Sequence, residues 1–181
     1  MEEGGSGLEP GGGPLVVPLA PPISDIEQLK ERPALAKLLA WNAAAVQAAK
    51  LDRDELTITV ERAQIREACA VLKAEASTKF NFFSDLTCVD RYPQEPRFEV
   101  VYSLLSHARK ERIRLKVKLA ADDASLESIT GVWPAANLFE REIYDLFGVR
   151  FSGHPNLRRL MMPEDWEGHP LRKDYPVEGY R

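Results

Sequence analysis

"RFEVVYSLLSHARKERIRLKVKL", Arg97 to Leu119, is the stretch on which the fold class turns. In its second half Ile113, Leu115, Val117 and Leu119 alternate with Arg112, Arg114, Lys116 and Lys118. That is the period of a strand with one buried and one wet face. The first half, "RFEVVYSLLS", is β-branched and aromatic, and "HARKE" suits a hairpin connection. Two neighbouring antiparallel strands, one with a charged outer face, point to a sheet covered by helices on a single side.

On the N-terminal side, "KFNFFSDLTCVD" is a further strand, less clean in alternation, separated from the hairpin by the turn "RYPQEP". Before it, "RAQIREACAVLKAEA" returns to helical spacing with Ile65, Cys69 and Leu72 on one stripe. "ELTITVE" alternates as a half-buried strand. Ser24 to Lys50 is helical in pattern, capped at Ser24 or Asp25 and interrupted at Pro33. There, Leu35, Leu38, Leu39, Asn42 and Val46 share a side.

On the C-terminal side, "DDASLESITGVW" offers Asp122, Asp123 or Ser125 as the cap of a short helix ending near Gly131. A longer helix opens at Pro134 and stops at Gly148, with Phe139, Ile143, Leu146 and Phe147 as its apolar stripe. Arg141 and Asp145 stand i, i+4 and can pair. The sum is an α+β, two-layer domain over residues 24–147, a mixed or antiparallel sheet with helices packed on it.

Two regions flank that domain. Residues 1–23 hold six of the eleven glycines and five of the thirteen prolines and read as a flexible leader. They lack the basic start and unbroken apolar centre of a secretory signal. Residues 148–181 show neither strand nor helix period, yet keep Phe151, Leu157, Leu160, Met161, Met162, Trp166, Leu171, Tyr175 and Tyr180. Disordered tails avoid such residues, whereas interfaces enrich Trp, Tyr, Met and Arg. The expectation is a long extended tail ordered against another protein, reaching on the order of 110 Å if fully stretched.

Composition narrows the function classes. No apolar run approaches the ~20 residues of a membrane span. The net charge of -4 argues against nucleic acid as the main partner. Cys69 and Cys88, nineteen positions apart with no CxxC, cannot by themselves hold a four-cysteine zinc or iron–sulfur site. They fit a reducing compartment without a disulfide framework.

The segment "EREIYDLFGVRFSGHPNLRRLM" also resembles the signature of the 30 kDa subunit family of respiratory complex I, the proton-pumping NADH–quinone oxidoreductase. Glu140, Arg141, Glu142, Asp145, Leu146, Phe147, His154, Arg158, Leu160 and Met161 fill its positions, and "MPEDWEGHPLRKDYP" is similar to the run that follows. The resemblance implies a structural and assembly subunit of the hydrophilic arm that carries no cofactor. FMN and iron–sulfur clusters would sit on partner subunits, passing electrons from NADH to quinone with proton translocation. It implies contact with the 49 kDa quinone-site subunit and the iron–sulfur subunits. It also implies a peripheral place on the cytoplasmic face of a bacterial inner membrane. Arg141 and Asp145 are expected as helix anchors. Arg158, Arg159, Trp166, His169 and Arg172 are expected as interface contacts.

Other readings compete. The same motif suits the equivalent subunit of a membrane-bound hydrogenase or a photosynthetic-type dehydrogenase. Glu142 and His154 could serve a stand-alone hydrolase, although no nucleophile accompanies them, and a charged helix face is the simpler account. His154 and His169, fifteen apart and each followed by Pro, suit tight turns better than a metal. The Arg112–Lys118 face with Phe80, Phe82 and Phe83 could bind RNA. The aromatics do not alternate with the basic residues, and a solvated or edge-protecting face explains the charges.

Overall fold

The computed structural model describes residues 21–179. The expected leader therefore lies outside the described residues up to position 20. Its last residue, Ile23, exchanges backbone hydrogen bonds with Leu51 at 2.8 and 3.0 Å.

The elements run α1 (Ile26–Leu29), α2 (Pro33–Asn42), β1 (Val46–Asp52), β2 (Glu55–Val60), α3 (Ile65–Ala74), β3 (Phe82–Asp90), β4 (Phe98–Ser106), β5 (Glu111–Leu119), β6 (Ser125–Glu127), α4 (Ala136–Phe147) and β7 (Arg150–Ser152). Five strands form one sheet in the order β1-β2-β5-β4-β3. The β2–β5 pair is parallel and the rest are antiparallel, so the sheet is mixed and the fold is α+β. The β4–β5 hairpin closes between Ser106 and Glu111, and Lys110 takes φ +52°.

The alternation in β5 comes out as read. Ile113, Leu115, Val117 and Leu119 are buried, while Arg112 and Lys118 are exposed. Opposite them, Phe98, Val100, Tyr102 and Leu104 of β4 and Leu56, Ile58 and Val60 of β2 complete the inner face. Leu35 and Leu38 of α2 and Ile65, Cys69 and Leu72 of α3 cover it, all at 0% exposure. Each such aliphatic side chain contributes roughly 1.5–3 kcal/mol by leaving water.

Three expectations change. The helical pattern beyond Asn42 ends there: Val46–Asp52 is strand β1, not helix. Its Gln47, Ala48, Ala49, Lys50 and Leu51 all favour helix intrinsically. The free edge of β2 overrides that preference through a tight hairpin with Arg53 and Asp54 at φ +52° and +62°. The segment after Asp122 makes no helix. Ser125–Glu127 is β6, and it pairs in parallel with β7. The packed core also continues past Gly148, since Val149 and Phe151 are 0% and 2% exposed. A boundary at 147/148 would cut through it, and the folded unit reaches at least Ser152.

Residues 154–179 contain neither helix nor strand. They do not extend away from the domain. Leu171 N–H donates to the Leu146 carbonyl at 3.0 Å, and turns close at Trp166, Arg172 and Tyr175. The expected free reach of the tail is lost because its polar groups are bound to α4 and the β3–β4 turn.

Candidate functional site

Helix α4 organises the region that carries the signature residues. Gly148 ends it in the left-handed region at φ +75°, as the helix-stop reading requires. A side chain there is also excluded by space, because a Cβ would overlap the Arg172 guanidinium and the His169 ring. The fully buried stripe is Ala136, Glu140, Ile143 and Phe147, with Phe139 and Leu146 only partly covered. Glu140 thus stands on the core side of the helix, although a carboxylate is the residue type least expected there.

Glu140 is 0% exposed. Ser128 Oγ donates to its Oε2 at 2.7 Å and Ile129 N–H to its Oε1 at 2.7 Å. It therefore ties α4 to the loop after β6. Burial pushes its pKa up to about 7, and these two donors restrain the rise. Because the folded pKa lies above the unfolded value, ionising Glu140 opposes folding. The Glu140 contribution is fully present below about pH 4.5 and is lost as pH rises to about 7, by on the order of 3 kcal/mol in total. Replacing Glu140 with Gln is expected to flatten that fall. Urea midpoints of both chains across this range check it, and parallel curves would refute the assignment.

One turn further on, Asp145 is also 0% exposed. It faces the tail rather than the sheet. The amides of Leu160, Met161 and Met162 donate to its Oδ2 at 2.9, 2.7 and 2.8 Å. Arg159 Nη1 donates to its Oδ1 at 2.6 Å. Burial alone would raise this carboxyl. The amides and Arg159 more than offset that and hold its pKa below the usual range. The same Arg159 donates through Nη2 to the carbonyls of Trp166, at 2.7 Å, and Gly168, at 3.1 Å. One guanidinium therefore spans helix, nest and loop.

The expected Arg141–Asp145 pair is not formed. Arg141 instead donates to the carbonyls of Arg158 and Arg159 at 3.2 and 2.9 Å, and Arg159 takes its place beside Asp145. His169 Nδ1 donates to the Asp145 carbonyl at 2.8 Å, and Arg172 Nε to the Phe147 carbonyl at 2.6 Å. His154 Nε2 lies 3.1 Å from the Asn137 carbonyl, and its Nδ1 accepts from Asn156 N–H. Of the polar signature residues and the expected interface contacts, Glu142 and Arg158 have exposed side chains without a bonded partner among the described residues, and Trp166 is 41% exposed. The other side chains are engaged within the chain.

A second anchor was not visible in the sequence. Arg97 forks onto Asp90, with Nε–Oδ1 at 3.0 Å and Nη2–Oδ2 at 2.8 Å. It also forks onto Asp174 of the tail at 2.9 and 2.6 Å. Lys173 N–H donates to Asp90 Oδ2 at 2.8 Å. The Arg97 and Arg172 guanidiniums both lie over the Phe98 ring, at 5.0 and 5.3 Å. Burial opposes ionisation of Asp90, yet Arg97 and the Lys173 and Tyr92 amides lower its pKa to about 2. Arg97 and Asp174 lie 77 positions apart, so no local pattern connects them.

The arrangement offers little to a hydrolase. Glu142 is exposed and His154 is bound to backbone, and neither lines the clefts of about 540 and 610 Å³ on the surface. No group of three or more metal-ligating side chains occurs among the described residues. Cys69 and Cys88 are buried and free, and burial pushes the Cys88 thiol up to about 12. The aromatics of the RNA reading are divided: Phe80 and Phe83 lie in the core, and Phe82 packs edge-on against His107. Among the described residues no helix is long and apolar enough to cross a membrane.

Residues 58–181 match the family described as "Respiratory-chain NADH dehydrogenase, 30 Kd subunit". The chain is 46% identical over 147 residues to a Geobacter sulfurreducens protein that is named as a subunit of NADH-quinone oxidoreductase, covering 81% of this chain and 90% of that one. Among solved structures it is similar to a trypsin-resistant fragment, residues 1–134, of Nqo5. The TM-score there is 0.51 at 35% identity, over 57% of this chain and 83% of the fragment. It is also similar to a chain of a membrane-bound sulfane sulfur reductase, an archaeal respiratory membrane complex. That TM-score is 0.67 at 26% identity, over 79% of this chain and 84% of the other.

Proposed function

The chain belongs to the 30 kDa subunit family of the respiratory-chain NADH dehydrogenase, and from that premise we propose how it serves the complex. It is a structural subunit of the hydrophilic arm of NADH–quinone oxidoreductase, and its part in electron transfer to quinone is indirect. It holds other subunits in register, since electron transfer needs fixed distances between donor and acceptor. FMN and the iron–sulfur clusters reside on those neighbours. The residues beyond Ser152 form the contact with the 49 kDa quinone-site subunit and the cluster-bearing subunits. The assembly sits peripherally on the cytoplasmic face of a bacterial inner membrane.

The observation that supports this reading is the two-sidedness of the tail. Its polar groups turn inward to Asp145, Asp90 and Arg97, while Leu160, Met161, Trp166 and Leu171 are 38–60% exposed. Apolar side chains held outward on an ordered segment mark a surface meant for another protein. The likeness to the archaeal sulfane sulfur reductase keeps a related membrane-bound complex as a second reading. The 46% identity to the Geobacter protein favours NADH–quinone oxidoreductase.

The test is a chain ending at Gly153, expressed with the other subunits. This cut keeps Val149 and Phe151 in the core. The relative's trypsin-resistant fragment, solved without the rest of its chain, makes a folded remainder a fair expectation. The shortened chain is expected to fold and to be absent from the purified complex. Its recovery in a full-size, quinone-reducing complex would overturn the proposal.

A further inference from the structure

Among the described residues nine large apolar side chains are exposed, and five of them fall in the short span 160–177. One is Trp166, at 41% exposure, with no hydrogen bond from its indole N–H among the described residues. It is not on a loose loop. Its own amide donates to the Pro163 carbonyl at 3.1 Å, and its carbonyl accepts from Arg159 Nη2 at 2.7 Å. Arg159 also holds the Gly168 carbonyl, where φ is +77°. The Arg159 guanidinium that Asp145 anchors thus holds the loop 163–168 at Trp166 and Gly168, and the Met162 amide just before it donates to Asp145 itself.

The neighbours of Trp166 are acidic. Glu164, Asp165 and Glu167 are all exposed, and none forms an ion pair among the described residues. The basic residues of the tail are arranged differently. Arg159 and Arg172 are consumed by α4, Arg158 is exposed before the loop, and the exposed Lys173 stands at the far anchor, where its amide donates to Asp90. Three unpaired carboxylates around one rigid, outward tryptophan make a distinctive recognition surface. Tryptophan is the residue type most enriched at the energetic centres of interfaces. A loop ordered in advance loses little entropy on docking. The flanking charges select a rim of opposite sign and repel a like one.

We propose that Trp166 is a preformed finger that enters an apolar pocket rimmed by Arg or Lys on another subunit of the same complex. This rests on the reading of the tail as a contact surface. It adds the site, its shape before assembly and the chemistry of its receptor. Trp166 supplies the burial, and Glu164, Asp165 and Glu167 supply the selection. Asp145 and Arg159 hold the loop and do not touch the partner.

The experiment uses the full chain co-expressed with the remaining subunits. Trp166→Ala and the charge-reversed triple variant E164K/D165K/E167K are compared with wild type. Both isolated variant chains are expected to melt with the wild type, because the replaced side chains have no bonded partners among the described residues. Recovery of each in the complex is expected to fall at least about tenfold. The neutral triple variant E164Q/D165N/E167Q is expected to assemble with a weaker dependence on salt than wild type. Normal assembly of Trp166→Ala and of the charge-reversed chain would overturn the proposal, as would tighter assembly of the latter. If both assemble normally while the chain ending at Gly153 does not, the tail remains the contact and only the finger falls. If the shortened chain also assembles, both readings fall.

Discussion

Asp145→Asn is expected to loosen the tail and to destabilise the isolated chain by about 3–5 kcal/mol, the range for breaking a buried, hydrogen-bonded charge pair. For a chain of this size that lowers the melting midpoint by roughly 6–20 °C. The carboxylate accepts three consecutive amides through one oxygen and Arg159 through the other. A carboxamide has only one oxygen. Turned toward the amides, it sets its NH2 against the Arg159 guanidinium; turned toward Arg159, it sets the NH2 against three N–H groups. Arg159 then loses the anchor from which it holds the Trp166 and Gly168 carbonyls. Thermal melting checks the first part. Limited trypsin digestion checks the second, since Arg158, Arg159, Arg172 and Lys173 become cleavable together. A variant that melts with wild type and keeps its tail protected would refute the account.

Arg97→Met is the other large effect. It leaves Asp90, whose side chain is 0% exposed, as a carboxylate without its cation. The Lys173 and Tyr92 amides remain but cannot supply the lost charge. A loss of about 3–5 kcal/mol is expected in a urea titration. Asp174→Asn should cost far less, because the Asp174 side chain is 44% exposed and its pair with Arg97 is partly screened. Asp90→Asn combined with Arg97→Met should recover part of the loss, as no buried charge is then stranded. The pH response has a defined sign. Asp90 is held at about 2, below its unfolded value, so its contribution is present above about pH 4 and lost as pH falls toward 2. In Arg97→Met the Asp90 pKa rises, and acid unfolding between those values becomes shallower. A steeper acid transition would contradict the assignment.

The two anchors define how much of this region was readable in advance. The residue types of the signature stood in the sequence, but their partners did not. Arg141 and Asp145 have the spacing of a helical ion pair, and on an isolated helix they would form one. The tail changes the choice, because Arg159 brings the same charge to Asp145 from outside the helix and Arg141 is freed for two carbonyls. Glu140 did leave a local signal. It stands at i+4 from Ala136 and i−3 from Ile143, on the stripe that ends at Phe147, so helical spacing places it inside. Arg97 and Asp174 left none, since a charge pair across so long a separation has no periodicity.

By itself the sequence determined the elements whose patterns are strong and local. The alternation of β5 set its buried and wet faces, the stripe of α3 set its packing side, and Gly148 set where α4 stops. Each of these depends on backbone geometry within a few residues, which period and conformational preference report directly. Tertiary structure decided the rest. It made Val46–Asp52 a strand against its helical composition, because the open edge of β2 offered hydrogen bonds that a lone helix could not match. It paired β6 with β7 and so carried the core beyond Gly148. It also folded the aperiodic tail back onto the domain. Two buried aspartates require partners, and the tail supplies three amides and the Arg159 guanidinium to Asp145 and the Lys173 amide to Asp90.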